Sequence, residues 1–275
     1  MDIFAALKGP EHDPYLLEGG KPAALLVHGF PGTPIETRPL AEALHADGWT
    51  AQGLLLPGMG REMDTLFTRR HTEWRAAVFA ALAALRRDHA PVLLIGHSMG
   101  GGLAIQATAE MLPDGLVLAA PFWRLPQVHP ALLTLWPVLR LIFRTVRPFK
   151  QIDFTSPDLR GGVAGFLPEL DLDDPAVQAT IRDFAMPTEI IAQLALVGRA
   201  AYRCALQARV STLVLQGMAD DVVLPANTRR LLQRLPGPLS YHEFDAPHVL
   251  LSPGNAAWPR ICEQVLAFAE RMLRA

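Results

Sequence analysis

The sequence has few cysteines, no dense block of charge and no apolar run long enough to cross a membrane. Its two cysteines, Cys204 and Cys262, show no Cys-x-x-Cys spacing, so neither a disulfide framework nor a cysteine metal site is indicated. The 25 basic residues are scattered and the formal net charge is −2, which argues against a nucleic-acid-binding surface. With 275 residues, of which 50% are hydrophobic and 19% charged, the chain is typical of a soluble globular protein.

Targeting segments are lacking as well. Residues 1–14 carry three acids and no basic start followed by an apolar run, unlike a signal peptide. The most apolar later stretch, residues 131–143, contains Pro137 and Arg140 and is shorter than the roughly 20 residues of a membrane helix. A cytoplasmic protein is therefore expected, in which this stretch lines an apolar pocket or touches a lipid surface transiently.

Short apolar runs alternate with helical patterns over the first 120 residues. The predicted strands cover residues 23–27, 51–56, 92–95 and 116–119, and helices are predicted between Thr33 and Gly48 and over residues 72–88 and 99–111. Thr33 and Glu36 have the spacing of a capping box for the first helix. Strands that alternate with helices of these lengths indicate a mostly parallel sheet with helices on both faces.

The alternation stops after Pro121 and returns near residue 209. Residues 122–208 contain many prolines and helical fragments without a clear strand, and a stretch this long between two strands is typical of a functional insertion. Strands over 212–216 and 240–244 and helices over 226–235 and 256–274 complete the pattern. The predicted fold is an α/β core of residues 1–120 and 209–275, with a helical cap, residues 121–208, inserted between two late strands.

A candidate nucleophile directly follows the strand predicted at residues 92–95. Gly96-His97-Ser98-Met99-Gly100 is a Gly-x-Ser-x-Gly pattern between that strand and a helix, which is the context in which a sharp turn exposes a serine hydroxyl. The glycines let neighbouring backbone approach closely, and the helix directs its positive end at the serine. The pattern favours a nucleophilic Ser98 over a merely tight contact between strand and helix.

Candidate acids and a candidate base follow later in the chain. Asp220 and Asp221 come shortly after the strand at 212–216, and Asp245 and His248 come after the strand at 240–244. Loops at the carboxyl ends of parallel strands converge on one crevice, so these side chains can meet Ser98. The order serine, acid, histidine is that of the α/β-hydrolase triads.

Four motifs together resemble the α/β-hydrolase superfamily, and more narrowly its bacterial carboxylesterase and monoacylglycerol lipase branch. They are HGFPG (28–32), GHSMG (96–100), GMADD (217–221) and APHVL (246–250). The resemblance implies an α/β-hydrolase fold with Ser98 as nucleophile, Asp220 as acid and His248 as base, and with the amides of Phe30 and Met99 as the oxyanion hole. It implies no metal and no cofactor. It covers nearly the whole predicted core, whereas the insertion matches only in position and apolar character.

The chain departs from that branch at two places. The first strong strand is reached by residue 23, so the first hairpin of the fullest version of the fold is missing or reduced. Related sequences often have Pro-Gly-His-Gly after the second strong strand, where this chain has Pro57-Gly58-Met59-Gly60. Any role of that histidine is therefore absent.

Several residues compete for the implied roles. The likeness to a Gly-x-x-Asp pattern favours Asp220 over Asp221, and Asp245 is a weaker alternative. His28 and His97 flank the active loops and are interpreted as supports rather than bases. The remaining histidines that we considered are interpreted as helix-surface, loop or strand residues: His45, His71, His89, His129 and His242.

The insertion has more large apolar side chains than a small helical layer needs to bury. We interpret Phe122, Trp123 and Trp136 as part of a lid that contributes to an acyl pocket, with ordinary core packing as the alternative. Val222, beside the implied acid, is expected to line the same pocket. The ring of Phe30 either fills that pocket or belongs to the core.

These features predict a serine esterase that acts on carboxylic esters of short to medium acyl chains, monoacylglycerols among them. Its expected partner is a small-molecule ester, and the sequence carries no signal for an oligomeric state. The first alternative keeps the triad and cleaves thioesters, amides, lactones or carbon–carbon bonds. The second alternative is a ligand-binding protein that retains the site without turnover.

Overall fold

Apolar strands and amphipathic helices alternate along the chain as the sequence pattern predicts. The computed structural model describes residues 5–125, 144–147, 149–155, 160 and 170–274. Its strands are β1 (Tyr15–Leu17), β2 (Ala23–Val27), β3 (Thr50–Leu54), β4 (Val92–His97), β5 (Gly115–Ala119), β6 (Thr145–Val146), β7 (Met186–Pro187), β8 (Thr212–Gly217) and β9 (Leu239–Phe244). Its α-helices are α1 (Arg38–Ala46), α2 (His71–Asp88), α3 (Met99–Glu110), α4 (Pro175–Asp183), α5 (Thr188–Cys204), α6 (Pro225–Leu232) and α7 (Trp258–Arg274).

The main sheet has seven strands in the order β1-β3-β2-β4-β5-β8-β9. All neighbours pair in parallel except β1, which pairs antiparallel with β3. Strands β2, β4, β5 and β8 are buried along their whole length, which explains why they read as continuous apolar runs in the sequence. The prediction of a mostly parallel sheet flanked by helices is confirmed, and the three-residue β1 is the reduced counterpart of the first hairpin.

The capping box predicted at Thr33 and Glu36 is wrong. Residues Pro34–Thr37 form a 3-10 helix, α1 begins only at Arg38, and Thr33 makes no side-chain capping bond. The Thr33 hydroxyl instead lies 2.7 Å from Nδ1 of the buried His12. The Glu36 carboxylate accepts a hydrogen bond from the Gly29 amide at 3.0 Å, so both side chains serve the loop after β2 rather than the helix.

The insertion is described only in part. Two-residue strands β6 and β7 pair antiparallel, although the sequence pattern predicted no strand there. Helix α5 packs on α3 of the core, where the buried Gln106 amide donates to the Val197 carbonyl at 3.1 Å. Trp136 lies outside the described residues. The division into a core and a cap at residues 121–208 stays a prediction.

Helix α3 lies so close to β2 that one of its glycines has no room for a side chain. A Cβ on Gly100 would overlap the carbonyl oxygens of Val27 and His28. We expect Gly100→Ala to lower the free energy of unfolding by about 3 kcal/mol, because the helix must shift away from the strand. Urea denaturation measures this, with Gly254→Ala as the control, since the nearest atom to a Cβ there is 3.6 Å away. Equal stability of the two variants would contradict the close approach.

Candidate active site

Ser98 occupies a strained turn between β4 and α3. Its backbone angles are φ 52° and ψ −118°, in a region that costs a non-glycine residue about 1–3 kcal/mol. The turn is held because the Ser98 amide donates to the Ala119 carbonyl and the Ser98 carbonyl accepts from the Phe122 amide, both at 2.9 Å. The hydroxyl is thereby fixed at the carboxyl edge of the sheet.

Three side chains from distant parts of the sequence meet at this edge. His248 Nε2 lies 3.1 Å from Ser98 Oγ, and His248 Nδ1 lies 2.8 Å from Asp220 Oδ2. Since a carboxylate only accepts hydrogen bonds, Nδ1 carries the proton and Nε2 is free to accept one from the serine. Ser98 and Asp220 are buried, whereas the His248 side chain is 16% exposed.

The Asp220 carboxylate is surrounded by hydrogen-bond donors. Oδ1 accepts from the amides of Val222 and Val223 at 2.9 and 2.7 Å. Oδ2 accepts from the buried Gln216 amide at 3.1 Å in addition to His248. Such donors compensate a buried charge for its lost hydration. Asp221 and Asp245 are both exposed, and the described contacts place Asp220 against the histidine.

The two amides expected to form an oxyanion hole belong to the residue after Ser98 and to the loop after β2. Met99 is the first residue of α3, so its amide has no partner within the helix. Phe30 follows Gly29, and a Cβ on Gly29 would lie 3.2 Å from Ser98 Cβ, so the loop passes directly beside the serine. The Phe30 ring is half-buried and lies 6.1 Å from the Trp74 ring, centroid to centroid.

The residues expected to line a pocket have different surroundings. Phe122 is buried, next to the serine turn. Trp123 stacks on Tyr202 with ring centroids 4.4 Å apart and donates its indole N–H to the Asn227 carbonyl at 2.8 Å. The Val222 side chain is 43% exposed. Their contribution to substrate binding stays a prediction.

Glu36 joins His97 in a buried contact that the sequence analysis missed. Glu36 Oε2 lies 3.3 Å from His97 Nδ1, and His97 Nε2 lies 3.2 Å from the His248 carbonyl oxygen. Burial disfavours charge on both side chains, but their hydrogen bond and mutual attraction outweigh it: the pKa of Glu36 is lowered and the pKa of His97 is raised from the usual values. The sequence did not predict the contact of Glu36 with His97, because the spacing of Glu36 from Thr33 also fits a helix cap.

His28 links the loop after β2 to the end of β3. Its Nε2 accepts from the Leu56 amide at 3.1 Å, so Nδ1 carries the proton and donates to the Gly29 carbonyl at 2.8 Å. Burial lowers the pKa of this imidazole, which keeps it neutral and suited to these two bonds. In the described part of the chain, no group of three or more potential metal ligands occurs. The helices of that same part include none with the length and apolar character needed to cross a membrane.

A parallel sheet with a serine turn after one central strand, an acid after β8 and a histidine after β9 defines an α/β-hydrolase. The sequence model of a hydrolase family described as serine aminopeptidase S33 matches residues 20–245. The chain belongs to this family. The matched region contains Ser98 and Asp220 and ends three residues before His248.

Individual relatives are similar to the chain over different lengths. A thermostable monoacylglycerol lipase of Bacillus sp. (strain H-257) is 36% identical over 111 residues, which are 40% of this chain and 43% of that enzyme. A solved structure from the metagenome-derived lipolytic enzymes LipS and LipT superposes with a TM-score of 0.75 at 21% identity, over 95% of this chain and 98% of that chain. The monoacylglycerol lipase of Paleococcus ferrophilus superposes with a TM-score of 0.67 at 18% identity, over 94% and 99% of the two chains. The chain thus spans less than half of the Bacillus enzyme in sequence, and it shares the fold of the two solved structures.

Proposed function

We propose that the protein is a serine esterase that hydrolyses carboxylic esters with short to medium acyl chains, monoacylglycerols among them. The observation that carries the proposal is the hydrogen-bonded line from Asp220 through His248 to the Ser98 hydroxyl, at 2.8 and 3.1 Å. Relatives described as a monoacylglycerol lipase and as lipolytic enzymes support ester substrates.

The reaction proceeds through an acyl-enzyme on Ser98. His248 Nε2 takes the hydroxyl proton while Oγ bonds to the ester carbonyl carbon, and the carbonyl oxygen becomes an oxyanion. The oxyanion collapses, the bond to the alcohol oxygen breaks, and His248 returns its proton to the departing alcohol. Water then attacks the acyl group with the same proton transfers, which releases the acid and restores Ser98.

The amides of Phe30 and Met99 stabilise the oxyanion in this proposal. Both belong to backbone held by surrounding structure, so no reorganisation accompanies charge development. Each such donor contributes roughly 3 kcal/mol to transition-state stabilisation in enzymes of this kind. Of the side chains expected to contribute to an acyl pocket, Phe30, Phe122, Trp123 and Val222 lie in the described part of the chain, and we propose that the cap contacts a lipid surface only transiently.

Amide hydrolysis is the second candidate, because the family carries the description of a serine aminopeptidase. The same His248 would protonate a departing amine instead of an alcohol. The triad chemistry is shared, so the bond cleaved is decided by the pocket rather than by the core.

A matched substrate panel tests the proposal. We expect p-nitrophenyl butyrate to be hydrolysed with a kcat/KM at least about 100-fold above that of butyryl-p-nitroanilide, since an amine leaves far less readily than a phenolate. A butyryl thioester and a long-chain p-nitrophenyl ester complete the panel, and a fluorophosphonate probe reports the reactive serine. Preference for the anilide would favour the amidase, and folded protein that neither reacts with the probe nor hydrolyses any substrate would favour a ligand-binding protein.

A further inference from the structure

The Glu36 carboxylate lies inside the loop that carries the Phe30 amide. A Cβ on Gly32 would collide with this carboxylate, and a Cβ on Gly29 would lie 3.5 Å from Oε2. The Gly29 amide donates to Oε2 at 3.0 Å, and the Gly32 amide donates back to the Gly29 carbonyl at 3.1 Å. The loop thus turns around the carboxylate, which anchors the His28–Gly29 peptide, one residue before the Phe30 amide.

The hydrogen-bond partners of His97 determine its protonation. Nδ1 faces the Glu36 carboxylate and Nε2 faces the His248 carbonyl oxygen, and both of these oxygens act as acceptors. Both ring nitrogens must therefore donate, which only the imidazolium form does. The side chain of His97 is 6% exposed and that of Glu36 is 19% exposed, so the pair is largely removed from water.

We propose that Glu36 and His97 are positioning residues, a largely buried ion pair that fixes the His28–Gly29 peptide, next to the Phe30 amide, and the backbone of His248. The proposal rests on the proposed function, because the two fixed segments carry the proposed oxyanion donor and the general base. In this proposal neither residue takes part in the bond changes; each acts through the backbone that it holds.

The Glu36→Gln substitution breaks this arrangement in a defined way. A neutral His97 that donates from Nδ1 to the amide oxygen loses its bond to the His248 carbonyl. A neutral His97 that donates from Nε2 has Nδ1 as an acceptor, so the new side-chain NH₂ group must take the position of Oε2. There it meets the Gly29 N–H, which is also a donor and loses its acceptor. One of the three contacts is therefore lost in either orientation.

The charge of the pair also matters during turnover. The His97 and His248 rings lie 5.1 Å apart, centroid to centroid, and His248 becomes an imidazolium when it takes the serine proton. A lone positive charge on His97 would oppose this step, whereas the Glu36 carboxylate neutralises it. The ion pair thus supplies two hydrogen-bond donors beside the base without adding net charge.

Single and double substitutions test the proposal. We expect Glu36→Gln and His97→Gln each to lower kcat for p-nitrophenyl butyrate by about 10- to 100-fold with KM changed less than about threefold, because the reacting groups are displaced rather than removed. Because Glu36 and His97 act as a unit, we expect the kcat of the double variant to be at most about threefold lower than that of the slower single variant. Glu42→Gln is the matched control: this carboxylate lies on α1, is exposed and pairs with Arg38, and its loss is expected to leave kcat unchanged.

Proton NMR of protein labelled with 15N-histidine separates this inference from the proposed function, because it needs no turnover. Near neutral pH we expect both ring nitrogens of His97 to be protonated, with its signals assigned by their absence in His97→Gln, and only one of them to be protonated in Glu36→Gln. Thermal unfolding of each variant identifies any loss of fold. A singly protonated His97 in the wild-type protein, kcat effects below about twofold, or single-variant effects that multiply in the double variant would each overturn the ion-pair inference. A wild-type protein with the NMR signature but without ester turnover or probe labelling would overturn the proposed function alone.

Discussion

Replacing Ser98 with alanine is expected to lower kcat for p-nitrophenyl butyrate by about 10⁵-fold or more and to abolish labelling by a fluorophosphonate. The hydroxyl is the only atom group removed, and it is the atom to which His248 Nε2 points at 3.1 Å. No acyl-enzyme forms without it, so the residual rate reflects only polarisation of the ester by the neighbouring amides. Initial rates on purified protein, together with covalent labelling followed by mass spectrometry, measure both effects.

The control for this substitution is Ser252→Ala. The Ser252 hydroxyl lies on a turn near the C-terminal helix, where it accepts a hydrogen bond from the Gly254 amide at 3.3 Å, and its removal is expected to leave the rate unchanged. The backbone strain at position 98 remains in the alanine variant, so the two variants should unfold at similar temperatures. Retention of more than about 1% of the wild-type rate by Ser98→Ala would refute a serine nucleophile at this position.

Asp220→Asn is expected to lower kcat by about 10⁴-fold while KM changes little. The amides of Val222 and Val223 both require an acceptor at the position of Oδ1, so the asparagine oxygen stays there. Its NH₂ group then faces His248 Nδ1 and the Gln216 NH₂ group, which loses this acceptor. The imidazole must then carry its proton on Nε2, where it cannot accept one from Ser98. The variant therefore retains the geometry of the site in the wrong tautomer.

Asp221→Asn is the matched control for the acid. It removes an adjacent carboxylate that is exposed, and we expect its kcat to stay within about twofold of the wild-type value. A pH–rate profile of both variants completes the comparison, since hydroxide at high pH partly replaces the base when the tautomer is wrong. The opposite ranking of the two variants would move the acid to Asp221.

The elements of the sheet were predictable because their signals are local. Strands β2, β4, β5 and β8 are buried throughout, so each is a run of apolar residues with a clear start and end. The serine turn was predictable for the same reason, since its glycines, strand and helix are consecutive in the sequence. The two-residue strands β6 and β7 lack any such run, because a ladder this short needs no apolar pattern.

The hydrogen-bond partner of a side chain was predictable only where the sequence pattern indicated a single partner for it. The spacing of Thr33 and Glu36 fits a helix cap. In the structure the Glu36 carboxylate instead contacts the Gly29 amide and the His97 ring. His12, whose burial no sequence pattern indicates, lies beside Thr33 because the N-terminal segment packs on the loop. Such contacts depend on which loops meet in space, and spacing along the chain does not encode that.

The loops that carry Asp220 and His248 are joined by main-chain hydrogen bonds in addition to the contact between those two side chains. The Met218 amide donates to the Phe244 carbonyl at 2.8 Å, the Ala219 amide donates to the Ala246 carbonyl at 3.1 Å, and a Cβ on Gly217 would overlap the backbone of that second loop. Their alignment is therefore insensitive to the identity of most side chains around them. Substitutions elsewhere, those in the predicted cap included, are therefore expected to change the surroundings of the site without moving Asp220 relative to His248.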